Sequence, residues 1–131
     1  MGKLVKRDAG PNPEAWLPLL PSAYQILLVL AEGECHGYAI MQEINLRTDG
    51  AMRLGPGTLY RTIKRMLEDG WIEEAGDRHD PTLDDERRRF YRLTDLGVRV
   101  ARAETQRLTN LVDMARSKRL LWPDAPAFAG V

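Results

Sequence analysis

The 131 residues suffice for one domain with a short extension, and a 44% hydrophobic content places the chain among ordinary globular proteins. Nineteen basic and nineteen acidic side chains leave no net charge, which excludes a polycation that binds nucleic acid through its overall field; a nucleic-acid partner has to be argued from where the charges lie. No apolar run approaches the roughly 18 residues of a membrane span, the N-terminal MGKLVKRDAGPNPEAW lacks the apolar segment of a signal peptide, and the single Cys35 excludes an intrachain disulfide, so the expected location is the cytoplasm, with no membrane partner.

Residues 1–17 hold Pro11, Pro13 and scattered charge, and read as a flexible arm with Trp16 as its one anchor. Pro21 opens a first helix in which Tyr24, Leu27, Leu28 and Ala31 recur at helical spacing until Gly33 stops it. That helix is apolar on more than one face and is expected at the centre of the fold. A tight turn at Gly33, Glu34 and Cys35 leads to a second helix, with Gly37, Ile40, Met41 and Ile44 on one face, broken at Thr48, Asp49 and Gly50.

The stretch GPGTLYRTIKRMLEDGWI, residues 55–72, predicts a third helix from Pro56 to about Asp69. Pro56 suits a first helical turn, and Gly70 suits the left-handed position just past the end. At 100° per residue, Leu59, Ile63, Met66 and Leu67 share one side. Thr58, Arg61 and Arg65 fall opposite, with Tyr60 and Lys64 on the flank. One face packs and the other is free to meet phosphates and base edges. Three short helices with small turns, the last basic outside, form a helix-turn-helix pattern.

Trp71 to Ala75 and Arg87 to Leu93 then read as two strands around a polar loop, which makes a wing on the third helix. Strand side chains alternate, so Arg88 is separated from Arg87 and Arg89. At least one of these three is expected to pair with the acidic tip formed by Asp80, Asp84, Asp85 and Glu86. Those acidic charges would repel phosphate at close range, so only the basic base of the wing, Arg78 with Arg87 to Arg89, is expected to meet a nucleic acid, with the tip pointing away or folded back on a basic patch.

From Thr94 to about Leu121 the sequence favours helix throughout, with Thr94 as cap and Asp95 at the positive end of the helix dipole. Ala101, Leu108, Ala115 and Trp122 are spaced by seven, and Leu111 and Val112 fill the neighbouring seam position. Such a stripe calls for a partner helix, and Pro123 ends it.

The order of these elements resembles the PadR family of winged helix-turn-helix transcriptional regulators. HGYAIMQEI (36–44), PGTLYRTIKRMLEDGWI (56–72) and RRRFYRLTDLGVRV (87–100) carry the likeness, which covers about residues 19–121. The resemblance implies that the third helix enters the major groove through Thr58, Tyr60, Arg61 and Lys64. It also implies wing contacts from Arg88 and Arg89, and a dimer seam at Leu108, Leu111, Val112 and Ala115. The wheel supports Thr58 and Arg61 independently and adds Arg65. Tyr60 has two readings: a packed ring whose hydroxyl reaches a phosphate, or a buried core aromatic.

The expected fold is mainly α with a small antiparallel β-wing. A flexible arm occupies 1–17, a winged helix-turn-helix domain 18–93, a dimerisation helix 94–122 and a tail 123–131. The expected function is that of a homodimeric, sequence-specific regulator of transcription on double-stranded DNA, a repressor relieved by a small planar or amphipathic effector. Trp16 and Trp122 are the candidates for an effector pocket, beside the plainer reading in which they close the arm and the helix seam. A winged-helix module that binds another protein is the alternative. An enzyme is not expected, since there is no phosphate loop, nucleophile triad or paired carboxylate. Cys35, His36 and His79 do not make a metal site, so neither metal nor cofactor is expected. Cys35 reads as a half-buried turn residue and His36 as a cap or packing residue.

Overall fold

The computed structural model describes residues 11–75 and 89–121. A 3-10 turn over Pro13–Trp16 is the first element of the described residues, with Asn12 accepting the Glu14 N–H on its side chain and Pro13 supplying a fixed φ at the first position. The arm therefore contains an ordered turn, and Trp16 anchors it. Its ring meets Trp71 edge to face, with centroids 5.4 Å apart.

Among the described residues there follow four α-helices, α1 (Pro21–Leu30), α2 (Gly37–Arg47), α3 (Pro56–Glu68) and α4 (Asp95–Ser117). Three strands, β1 (Cys35–His36), β2 (Ile72–Glu74) and β3 (Phe90–Leu93), form one antiparallel sheet with β3 in the middle. Ile26 and Leu27 of α1, Ile40 and Ile44 of α2, Leu59, Ile63 and Met66 of α3, and Val100 of α4 form the shared core.

The helical stripe expected in α1 is corrected. Ala23, Ile26, Leu27, Val29 and Leu30 are buried, whereas Leu28 and Ala31 are exposed. The cause is coverage by several neighbours, since α2, α3 and α4 all pack against α1. Adjacent positions are then buried together, and a single-stripe reading misses half of them.

The sheet gains a third strand that was read as a turn. Cys35 pairs with Tyr91 and His36 with Phe90, while Ile72, Glu73 and Glu74 pair with Leu93, Arg92 and Tyr91. His36 has a second role at the start of α2, where its Nδ1 accepts the Ala39 N–H at 3.1 Å, and its ring stands edge-on to Phe90. Helix α2 is thus attached to the sheet by its own capping residue.

Helix α3 closes as expected. Gly70 adopts φ 82° and donates to the Leu67 carbonyl, and Trp71 N–H reaches the Met66 carbonyl at 3.0 Å. Helix α4 stops earlier than its composition suggests. Arg119 takes φ 61° and donates to Arg116, and Leu120 N–H bonds the Ala115 carbonyl at 2.9 Å. An arginine thus holds the left-handed closing position usually given to glycine, and Pro123 lies outside the described residues.

Thr94 and Gly97 join α4 to the end of α3. The Thr94 hydroxyl accepts the Gly97 N–H at 3.0 Å and shares its own proton between the Gly70 carbonyl at 2.6 Å and the Trp71 carbonyl at 3.1 Å. The Thr94 N–H bonds the same Trp71 carbonyl at 3.0 Å. A Cβ on Gly97 would lie 1.9 Å from that oxygen, so only glycine fits.

A second set of bonds joins α4 to the arm and α1. Glu104, 2% exposed, accepts the Leu19 N–H at 3.4 Å and two bonds from Arg107 at 2.7 and 2.9 Å. Tyr24 and Thr105 share a hydroxyl hydrogen bond of 2.6 Å. Bonding to Arg107 holds the Glu104 carboxyl below the usual carboxylate range, against the opposing effect of burial.

Gly97→Ala should cost about 3 kcal/mol or more, because the added methyl meets backbone rather than a flexible side chain; the urea midpoint measures it. Glu104 contributes stability that is present above the ordinary carboxylate range and lost as pH falls through its lowered value. Wild type should therefore exceed Glu104→Gln in stability at pH 7 and converge with it in acid, read by denaturant titration at a series of pH values. A gap independent of pH would show that the charge of Glu104 is not what matters.

Candidate nucleic-acid interface

Helix α3 has two opposed faces. Leu59, Ile63 and Met66 are buried, at 0, 2 and 1% exposure, while Thr58, Arg61, Lys64 and Arg65 are all exposed. The helix begins at Gly55 with no side-chain cap, and Pro56 has no N–H to satisfy. Among the described residues no N-cap side chain closes this first turn, at the end where the helix dipole is positive.

Arg61 folds back along the helix and donates to the Thr58 hydroxyl at 3.3 Å. Gly57 leaves this path open, since even a Cβ there would stand 3.6 Å from the guanidinium. Arg65 pairs with Asp69 at 3.3 Å, but with 72% of the arginine side chain exposed this is a weak tie that another anion can replace. Lys64 is exposed on the same helix.

Tyr60 is corrected. Its ring lies over Gly37 of α2, where a Cβ would come within 2.7 Å of the ring and 2.9 Å of the hydroxyl oxygen, and that oxygen is buried. The bare α-carbon of Gly37 draws the ring inward. The hydroxyl therefore faces α2 and not an approaching phosphate, and Tyr60 sets the approach of the two helices.

In the wing, Arg89 is exposed and stands 3.7 Å from Glu74 on β2. Arg92 bridges Glu73 at 2.8 Å and Glu34 at 3.4 Å. Arg78, Arg87, Arg88 and the acidic segment from Asp80 to Glu86 lie outside the described residues. Arg53, exposed in the loop leading into α3, is a cation that sequence reasoning missed. Its proximity in sequence to Gly55 and Pro56 was the available signal.

Along α4, Leu111 and Val112 are exposed, at 49 and 42%, and Met114 joins them at 58%. Leu108 and Ala115 are half-buried, and Ala101 packs on the core of the chain. Beside them, Leu28 of α1, Ala31 just past its end, and Val98, Ala101 and Thr105 of α4 line an open groove of about 570 Å³. Trp122 lies outside the described residues. Trp16 instead borders a cavity of about 340 Å³ between the arm, α1 and α3.

Burial pushes the Cys35 thiol above its ordinary value, which keeps it protonated and a poor nucleophile or metal ligand. Among the described residues no group of three His, Cys, Asp or Glu side chains is placed to hold a metal ion, and no helix is long and apolar enough to cross a membrane.

The sequence profile of the transcriptional regulator PadR-like family matches residues 26–103. An uncharacterised protein of Lysinibacillus sphaericus is 33% identical over 72 residues, which make up 55% of this chain and 63% of that relative, so the chain spans less than two thirds of its length. Among solved structures, a transcriptional regulator from Clostridium thermocellum is similar with TM-score 0.60 at 24% identity, covering 73% of this chain and 87% of the other. A PadR family transcription regulator from Clostridium difficile gives TM-score 0.59 at 23% identity, covering 73% and 95%. A PadR-like regulator from Bacillus cereus gives 0.60 at 19%, covering 72% and 87%. These structural likenesses speak for the fold, a mainly helical winged helix-turn-helix with a small sheet and a C-terminal helix. The matched family is one of regulators and not of enzymes. With well over half of its length matched by the family profile, the chain belongs to the PadR-like family of transcriptional regulators.

Proposed function

We propose that two copies of this chain form a dimer that reads a two-fold DNA operator and represses transcription until a small-molecule effector binds. The observation that carries the reading is the division of α3: its apolar side is wholly engaged in the core, and its other side presents Thr58, Arg61, Lys64 and Arg65 to solvent. A helix so divided, with uncapped amides at its leading end, suits entry into a major groove. In this reading Arg61 makes a two-pronged contact with guanine, and Lys64 and Arg65 meet phosphates. Arg89, Arg88 and Arg78 at the base of the wing, with Arg53 before α3, would extend the phosphate contacts.

The exposed Leu111, Val112 and Met114 and the groove between α1 and α4 supply apolar surface for α4 of a second copy. Two recognition helices would then lie about one DNA turn apart, roughly 34 Å, or a multiple of it. Support for an effector comes by analogy of fold: the PcaV transcriptional regulator of Streptomyces coelicolor, with TM-score 0.61 at 22% identity, was solved with its natural ligand.

Fluorescence anisotropy with duplex from upstream of the protein's own gene, at several salt concentrations and against unrelated duplex, should reveal a competitor-resistant complex of two protomers per site. Loss of the complex to unrelated duplex would overturn sequence-specific reading. Arg61→Ala should lose about 1–3 kcal/mol of operator binding and relax sequence choice, since one base contact disappears. Leu111→Asp should weaken self-association by about 2 kcal/mol, seen as a shift toward monomer in sedimentation velocity.

A further inference from the structure

The cations of α3 and the wing differ in what accompanies them. Arg65 stands 3.3 Å from the Asp69 carboxylate, and Arg89 stands 3.7 Å from that of Glu74. Arg92, also on β3, is bracketed by Glu73 at 2.8 Å and Glu34 at 3.4 Å. Arg61 is different: among the described residues its hydrogen bond goes to the neutral Thr58 hydroxyl. Carboxylates therefore accompany the arginines assigned to phosphates, and the arginine assigned to a base has a hydroxyl instead.

The fold gains little from Asp69 and Glu74. The side chains of Arg65 and Arg89 are 72 and 48% exposed, and ion pairs so open to solvent contribute little to stability. Asp69 is also the C-cap of α3, where the helix dipole is itself negative and an acidic side chain is disfavoured. An arginine four residues before an acidic partner is the less favourable order for a helical pair. Their effect has to be sought in binding.

Attraction to a duplex of any sequence depends on how many phosphates a protein face neutralises. An arginine that keeps its carboxylate neutralises no net phosphate charge. We propose that Asp69 and Glu74 are specificity-determining residues, whose carboxylates withhold Arg65 and Arg89 from the phosphates of unrelated DNA and release them in the operator complex. There the base contacts fix the register, each arginine meets one phosphate at hydrogen-bond distance, and the displaced carboxylate turns to water and is screened. The zero net charge of the chain acts in the same direction, since no overall positive field draws in DNA at random. The inference rests on the proposed reading of α3 and the wing as the DNA face.

The test uses the full chain, its operator duplex and an unrelated duplex of equal length, titrated by anisotropy between about 50 and 200 mM salt. Equal binding of both duplexes by the wild type, or binding of neither, overturns the DNA reading and this inference with it. Where the wild type prefers its operator, Asp69→Asn and Glu74→Gln should each bind unrelated duplex about threefold more tightly at the lowest salt, with a salt slope steeper by up to roughly 0.9. Operator affinity should rise by less, so that the preference falls. Asp69→Glu keeps the charge and should keep the wild-type preference. Asp113→Asn makes the same change of charge at an exposed position near the C-terminal end of α4, and should alter neither affinity. A preference unchanged or increased in both neutral variants, as folded by circular dichroism as the wild type, overturns the proposal and leaves the DNA reading standing. An equal gain from Asp113→Asn does the same, because net charge alone would then account for the effect.

Discussion

Most of the architecture depends on one carbonyl oxygen, that of Trp71. It accepts the Thr94 N–H and shares the Thr94 hydroxyl proton with its neighbour Gly70, and it sits where a side chain on Gly97 would have to go. Three elements meet there: the end of α3, the start of β2 and the first turn of α4. Because the contact is backbone against backbone, it has none of the slack that side-chain packing allows. A displacement of α4 therefore carries the end of α3 with it.

The arm reinforces this arrangement from the other side. Leu19 is held by Glu104 of α4, Tyr24 by Thr105, and Trp16 lies against Trp71. The N-terminal segment thus touches α4 and the far end of α3 at once, and the cavity lies under it. Among the described residues Glu104 is the one buried charged side chain, and its paired bonds to Arg107 together with the Leu19 amide explain how its charge is tolerated there.

Legibility in the sequence followed how local each determinant is. Helix α3 could be read because Pro56 and Gly70 mark its ends and its apolar positions fall on one side, a pattern that needs no knowledge of neighbours. The exposed face of the candidate interface could be read for the same reason. Strand β1 could not, since two residues carry no alternation and Cys35 and His36 become a strand only by pairing with β3. The inward turn of Tyr60 depends on Gly37, twenty-three positions away, and the burial of neighbouring positions in α1 depends on α4, so both are tertiary effects. The early stop of α4 depends on an arginine in a conformation that glycine or asparagine would have signalled.

The rigid seating of α4 gives its length a geometric meaning. From Gly97 to the exposed leucine and valine at 111 and 112, the chain is one uninterrupted helix with a fixed rise of about 1.5 Å and a turn of about 100° per residue. In the proposed dimer, α4 is therefore a ruler: it sets both the distance and the angle between the two reading helices. A relative whose seam lies one helical turn further along would space its half-sites differently with an unchanged reading helix, and one shifted by a single residue would turn its second reading helix away from the groove. The choice of DNA site would then be divided between two separate parts of the chain, with the bases assigned to α3 and the interval between them to α4.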